Sequence, residues 1–416
     1  MRLPPRTERD FAVQVVQALQ AAGHDALFAG GCVRDELLGY QPKDYDIATA
    51  ALPEDVMALF RRTIAVGAAF GVVEVLGPRP FRVQVATFRR DGNYSDARRP
   101  DEVIFSTAEE DAKRRDFTIN GMFLDPLSGK VIDFVDGRAD LEARVLRAIG
   151  DPYERFREDR LRLLRAVRMT ARFGLHLEPN TQRAIVHKGA TISEGVSAER
   201  IAEELRKMLT DPNRVRAMRL LMELDLAAAI LPELLALRDQ SASLGNRWEH
   251  TLNVLGRLQQ PSFPLAFAAL LHGVGRQTTN AISLRLRLSN DERERAEWLI
   301  EHQHAMEDVE QLRPAQLKTL LVHRGIDELI ALHRCLAQAD GRDERSLDLV
   351  EQRRSEWQAA GTLCPPPLLT GHDLLAMGIP QGPAFRVLLE KVREAQLNDT
   401  LMTPEEARDL VRHYKP

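Results

Sequence analysis

Cysteine is scarce in this chain of 416 residues: there are three, Cys32, Cys335 and Cys364, and they lie far apart. They make no CxxC pair and no zinc-ligand spacing, so free thiols in a reducing compartment are expected. No uninterrupted apolar run approaches the ~20 residues of a membrane-spanning helix. The opening stretch MRLPPRTERDFAVQVVQALQAAG has no apolar signal core, which makes the cytoplasm the expected location, with no membrane partner. A strong excess of one charge is also missing. The formal net charge is −4, so a nucleic-acid partner would have to be gripped by a local basic face. Fixed-period repeats and low-complexity tracts are absent. The length exceeds one ordinary core and predicts about two to four domains.

Residues 8–22 carry helical periodicity, with Phe11, Val15 and Leu19 on one side and Gly23 as a stop. A strand, ALFAG, leads into a glycine turn, and a second strand is expected to carry Asp44 and Asp46. Residues 53–62 predict a helix with Pro53 near its start. GVVEVLG and FRVQVATF alternate as strands do. Residues 89–102, RRDGNYSDARRPDE, are polar and turn-rich and predict a flexible loop. After about residue 139 strand signals nearly vanish, and helical patterns run to the end.

Three constellations carry chemistry. Residues 30–46, GGCVRDELLGYQPKDYD, join a Gly-Gly turn to Asp44 and Asp46. Residues two apart on a strand share a face. Two carboxylates there suit Mg²⁺ bound to a triphosphate, because this hard ion takes few protein ligands and shares phosphate oxygens. The chemistry that follows is metal-assisted in-line nucleotidyl transfer. A surface turn followed by a solvated strand end would look the same. Residues 111–122, DAKRRDFTINGM, offer Arg114 and Arg115 to phosphate and Asp116 to ribose hydroxyls. A helix turn with a local salt bridge is the plainer alternative. Residues 158–172, EDRLRLLRAVRMTAR, predict one helix in which Arg162, Arg165, Arg168 and Arg172 share a broad face. That face is either solvated and salt-bridged or a base-reading surface, where Asp159 and Arg162 supply an acceptor and a donor.

In this order the segments resemble the class II tRNA nucleotidyltransferases and bacterial poly(A) polymerases. GGCVRD with DYD is similar to motif A, RRDFTINGM to motif B, and residues 133–152 to motif C. EDRLR (158–162) and ERIAEEL (199–205) resemble motifs D and E. The resemblance implies an α+β fold: a small nucleotidyltransferase head with a polymerase beta-like palm, then an all-helical neck, body and tail. Expected bounds are 1–145 for the head, 146–210 for the neck, 211–345 for a degenerate HD-like body and 346–416 for an RNA-binding tail. It further implies that Asp44 and Asp46 hold two Mg²⁺ ions and activate the primer 3′-hydroxyl. Gly30, Gly31, Arg34 and Arg115 would meet the triphosphate, and Asp116 and Asn120 the ribose and phosphates. Asp159 and Arg162 would select the base, with Arg165 and Arg168 behind them. The implied activity is addition of C, C and A from CTP and ATP to the tRNA 3′ end. The loop at 89–102 would help switch specificity from C to A.

Two departures qualify the match. Many members carry a third acidic residue in a pattern like EVATFR, where this chain has QVATFR and Gln84, expected to be an ordinary strand residue. Residues 248–276 resemble an HD phosphohydrolase domain, with His250 and His272 matching but Gly273 in place of the paired Asp. His302, His304 and Asp340 would be remnants, and no phosphohydrolase activity is expected. The segment after D-x-D, FRRTIAVGAAFGVVEV, lacks the GRRF stretch of poly(A) polymerases, which favours the tRNA-maturing branch. Enzymes adding only CC or only A are further alternatives. A non-catalytic RNA binder would have no use for two carboxylates facing phosphate.

Overall fold

The computed structural model describes residues 5–67, 71–91, 103–238 and 246–414. The chain divides into two compact units, Met1–Leu235 and Ala236–Pro416. The first opens with α1 (Glu8–Ala21), started by a reciprocal cap. Thr7 Oγ1 accepts from the Asp10 N–H at 3.1 Å and Asp10 accepts from the Thr7 N–H at 3.0 Å. The head continues through β1 (Ala26–Ala29), α2 (Gly31–Leu37), β2 (Asp46–Thr49), α3 (Pro53–Leu59), β3 (Thr63–Gly67), β4 (Val72–Leu76), β5 (Arg82–Thr87), β6 (Arg89–Asp91), β7 (Val103–Phe105), α4 (Ala108–Lys113), β8 (Phe123–Asp125), β9 (Lys130–Ile132) and α5 (Gly137–Glu142).

Seven strands form one mixed sheet in the order β3-β4-β5-β2-β1-β8-β9. Only β2 and β5 run parallel within it. Register sorts the side chains by face. Phe28, Ile47, Val85 and Val73 lie opposite one another in successive strands, and all are buried. Arg9 of α1 sits over the Phe28 ring, 5.8 Å from its centroid, so α1 covers this face. On the other face Leu27, Ala29, Ala48 and Phe123 pack with Phe88 and with Ala112 of α4. Asp46 shares that second face with Ala48 by the alternation of the strand.

Beyond the head come β10 (Val145–Leu146), α6 (Pro152–Glu158), α7 (Leu161–Arg172), β11 (His176–Leu177), α8 (Pro179–Lys188), α9 (Ala198–Leu209), α10 (Arg214–Glu223) and α11 (Leu226–Ile230). The expected single helix over 158–172 is broken at Asp159. This residue is extended, at φ −145° and ψ 103°, and its carboxylate accepts from the Leu161 N–H at 3.0 Å. An Asp that caps the next helix withdraws its own backbone from the one before. Three smaller expectations change as well. The helix from Pro53 ends at Leu59 rather than 62, and Asp44 precedes β2 rather than lying in it. The start of the expected 89–102 loop is β6, which pairs with β7, while residues 92–102 lie outside the described residues.

The described part of the second unit is helical: α12 (Arg247–Arg257), α13 (Phe263–Leu271), α14 (Arg276–Arg285), α15 (Asn290–Glu301), α16 (Pro314–Leu321), α17 (Ile326–Ala339), α18 (Arg345–Ala359), α19 (Gly371–Ala376), α20 (Pro383–Leu397) and α21 (Pro404–His413). Every residue of α13 is buried, which makes it the central helix of its neighbourhood. Lys318 of α16 is wholly buried, with its ammonium 2.9 Å from Asp399 and over the Trp357 ring. Among the described residues no helix is long and apolar enough to cross a membrane.

Close approach, rather than a left-handed backbone, dictates Gly137 at the start of α5. A Cβ there would overlap the Thr118 carbonyl oxygen and stand 2.9 Å from Met122 Cγ. Gly137→Ala is expected to destabilise the protein by about 1–3 kcal/mol through overpacking. Gly382→Ala, where a Cβ meets nothing within 4 Å, should leave the denaturation midpoint nearly unchanged. Equal midpoints for the two variants in urea titrations would refute this account.

Candidate active site

The D-x-D pair straddles the entry to β2. Tyr45 turns inward, its ring tilted against that of Phe28 with centroids 5.0 Å apart, and its hydroxyl donates to Glu36 at 3.0 Å. Asp44 and Asp46 are left exposed on either side of it. Asp46 reaches solvent at its edge while protein crowds its remaining sides. That crowding raises its pKa, Arg115 opposes the rise, and Asp44 adds to it. Asp44 also helps raise Glu8 of α1, after burial. Two close carboxylates that repel one another are the donor set a hard divalent cation neutralises, so these residues fit such an ion. Among the described residues no group of three or more His, Cys, Asp or Glu side chains is arranged to hold a metal. Gln84 lies directly opposite Asp46 in β5 and Glu74 opposite Gln84 in β4, with the Glu74 carboxylate 3.8 Å from Arg82. Cys32, below the pair, is buried, and desolvation pushes its thiol up to about 11.

Gly30 takes a left-handed φ of +72°, and a Cβ on it would stand 2.8 Å from Arg115 Nη1. The turn therefore needs glycine twice over, for the backbone and for the guanidinium beside it. Arg115 and Arg114 both bind Asp111, at 2.9 and 2.7 Å, and this buried carboxylate is held below its ordinary range because the two guanidiniums outweigh its burial. Arg115 also lies over the Phe123 ring. Arg34 is buried, bonded to Asp35 at 2.6 Å and to Asn120 Oδ1 at 2.5 Å, with its guanidinium over Phe173. Burial lowers its pKa, and Asp35 counters this.

Asp116 is the junction of the site. It accepts from Arg165 Nε at 2.7 Å, Asn120 Nδ2 at 3.0 Å and the Phe117 N–H at 2.9 Å. Burial alone would raise this carboxyl. Arg165, Asn120 and Arg162 outweigh burial and hold it far below the usual carboxylate range. The other arginines of α7 are partnered too. Arg162 donates to Glu158 at 2.7 Å and to the Arg155 and Arg114 carbonyls, and Arg168 donates to Glu204 at 2.6 Å in the core. Arg172 stands 3.9 Å from Asp211. The stripe that looks nearly all positive in sequence is thus matched by four carboxylates, all of them from outside α7. Asp159 receives two bonds from Arg200 of α9, at 2.8 and 3.2 Å. Asp159 and Arg162 flank the first turn of α7, and Arg165 and Arg168 follow it inward.

Sequence reasoning missed Asp111, Arg200 and Glu204. The spacing of Asp111 to Arg114 and Arg115, three and four residues on in a helical pattern, was a usable signal for the first. Arg200 and Glu204 lie inside ERIAEEL, but their partners are 41 and 36 positions away.

In the second unit His250 Nε2 lies 2.8 Å from Asp340 and His250 Nδ1 lies 3.3 Å from His272 Nε2. Arg342 bonds Asp340 at 2.7 Å and Glu307 at 2.6 Å, and His304 bonds Glu307 at 2.8 Å. His302 stands apart from this cluster, stacked on Trp298. His272 is kept low by burial, its Nδ1 facing the Ala269 carbonyl.

Asp116→Asn should cost about 2–3 kcal/mol at pH 7, the low side of a broken buried pair because Arg165 retains solvent contact. The folded pKa of Asp116 is depressed, so its contribution is complete above the unfolded value of about 4 and is lost as pH falls further. The stability gap between wild type and variant should accordingly narrow below about pH 4. A gap independent of pH from 7 to 3 in denaturant titrations would contradict the pairing.

Residues 26–147 match the family described as Poly A polymerase head domain, and residues 174–237 match the Probable RNA and SrmB- binding site of polymerase A. A CCA-adding enzyme of Geobacillus stearothermophilus is 45% identical over 226 residues, covering 54% of each chain. One from Anoxybacillus flavithermus is 42% identical over 236 residues, 56% of this chain and 58% of the relative. The chain thus spans about half the length of the curated relatives it matches. The solved Bacillus stearothermophilus CCA-adding enzyme in complex with CTP superposes with a TM-score of 0.80 at 30% identity, covering 98% of both chains. A Thermotoga maritima CCA-adding enzyme complexed with tRNA shares the fold, with a TM-score of 0.62 at 21% identity over 99% of this chain and 96% of that one. With 30% identity and nearly the whole length of both chains superposed, the chain belongs to the family of CCA-adding enzymes, and it carries the Poly A polymerase head.

Proposed function

We propose that this protein is a tRNA nucleotidyltransferase that adds C, C and A from CTP and ATP to the 3′ end of tRNA, with Mg²⁺ as its metal and the cytoplasm as its location. The observation that carries this reading is the exposed Asp44–Asp46 pair beside the Gly30–Gly31 turn, in a chain coextensive with a CCA-adding enzyme solved with CTP. In the transfer the primer 3′-oxygen bonds to the α-phosphorus of the incoming nucleotide, the bond to the bridging oxygen breaks, and pyrophosphate leaves. Bound Mg²⁺ would supply Lewis-acid activation of that hydroxyl and neutralise the phosphates. Asp44 and Asp46 hold the charge that binds it. Gly30, Gly31, Arg34 and Arg115 frame the triphosphate. Arg115 is held in place by Asp111 and the Asn120 carbonyl, and Arg34 holds the glycine turn against Asn120. Asp116 and Asn120 orient the ribose side.

Base choice is assigned to Asp159 and Arg162, an acceptor and a donor set at one end of α7, with Arg165 and Arg168 anchoring the helix behind them. A base read by such a pair is recognised on its hydrogen-bonding edge, with protein in the place of a template strand. Residues 1–145 serve as head and 146–210 as neck. Residues 211–345 form the body and 346–416 the tail, and together these hold RNA by shape and phosphate contact.

Purified protein should extend a tRNA ending before CCA when given CTP, ATP and Mg²⁺. Long A tails on arbitrary RNA with CTP ignored would mean the poly(A) reading, and extension halting after CC, or needing a CC end, would mean a partial enzyme. Asp44→Ala should reduce transfer at least 10³-fold, an order-of-magnitude expectation for a lost metal ligand, with tRNA affinity nearly intact. Asp159→Ala should blur the choice between C and A more than it weakens triphosphate binding. Unchanged nucleotide fidelity in single-turnover incorporation would remove Asp159 from the reading role.

A further inference from the structure

A cavity of about 520 Å³ opens within the first unit between the loop that joins α2 to β2 and the C-terminal ends of α7 and α9. Its wall includes Tyr40, Lys43, Arg172, Phe173 and Lys207. Tyr40 is 57% exposed, an expensive placement for a large aromatic ring, and its ring centroid stands 6.3 Å from that of buried Phe173. Among the described residues the Tyr40 hydroxyl has no hydrogen-bond partner and the Lys43 ammonium no carboxylate. The other two cations of the wall are partnered, Lys207 by Glu203 at 3.4 Å and Arg172 by Asp211 at 3.9 Å. Among the described residues Lys43 is therefore a positive charge without a carboxylate partner, and it immediately precedes Asp44 in the chain.

We propose that this cavity is the subsite for the primer RNA, holding the nucleotide just upstream of the reacting 3′ end, with Tyr40 stacking its base and Lys43 pairing its phosphate. The inference rests on the transferase reading above and assigns one of its substrates a place. An exposed aromatic beside an unpaired cation is the pairing that holds single-stranded nucleic acid without reading its sequence, because every base has a stacking face. Such tolerance suits a primer end that changes with each addition. The Glu and Asp partners of Lys207 and Arg172 keep the remaining wall near neutral, so Lys43 fixes where the phosphate lies. The connection from Lys43 to Asp44 ties this anchor to the carboxylate that the 3′-hydroxyl must reach.

The test is fluorescence anisotropy of a labelled tRNA lacking its CCA end, without nucleoside triphosphate, on the full chain and on Tyr40→Ala, Tyr40→Phe and Lys43→Glu. The expected result is about tenfold weaker RNA binding for Tyr40→Ala and Lys43→Glu, near wild-type binding for Tyr40→Phe, and direct CTP binding unchanged in all three. Unchanged RNA affinity in Tyr40→Ala and Lys43→Glu would overturn the assignment. Equal losses of CTP and RNA affinity would also overturn it, by giving the cavity to the incoming nucleotide. Because binding is read without turnover, the two failures are distinguishable: a wild-type protein that binds this RNA but never extends it counts against the transferase reading, and unchanged RNA affinity in the variants counts against the subsite.

Discussion

The buried carboxylate of Asp116 is the constraint on which the first unit depends. It sits in the short segment between α4 and β8, yet it takes its strongest partner from α7, a helix 49 positions further on. A buried carboxylate left alone would cost several kcal/mol, on the order of what a whole domain has to spare. Arg165 must therefore be within reach whenever Asp116 is buried. Through Asn120 the same carboxylate reaches Arg34, and through Arg34 the glycine turn that precedes the D-x-D pair. A chain of charge-assisted bonds thus connects the glycine turn of the head to α7. Tight, mutually satisfied links of this kind transmit position better than apolar packing, which tolerates small slips.

The legible and illegible parts of this protein divide along the range of the interactions involved. Helix α1 was readable because Phe11, Val15 and Leu19 repeat at helical spacing ahead of Gly23, and β4 and β5 were readable because they alternate. The exposure of Asp44 and Asp46 was readable for the same reason, since it needs only that Tyr45 turn the other way. The break at Asp159 was not, because EDRLRLL has strong helical periodicity and the competing signal is one side chain capping the helix that follows. Nor were the partners of the α7 arginines. A stripe of like charge in one segment says nothing of carboxylates delivered by α9 or by the 116–120 turn, and those decide that Arg168 can be buried at all.

The second unit has a related economy. His250, His272 and Asp340 come together as the resemblance to a metal-dependent domain would have them, with His304 and Glu307 close by. The guanidinium of Arg342 bonds both Asp340 and Glu307. A fixed organic cation between two carboxylates neutralises them as a metal would, but offers no open coordination position for a water or a phosphate. The His250–Asp340 bond joins the end of α17 to the start of α12.

Gly30 meets two requirements at once, a left-handed backbone and room for the Arg115 guanidinium. This has a genetic consequence. A mutant with a side chain at position 30 has two defects of different origin, and shortening Arg115 relieves only the steric one while breaking its bond to Asp111. No single second-site change can restore such a mutant, so revertants selected from it should return to glycine itself.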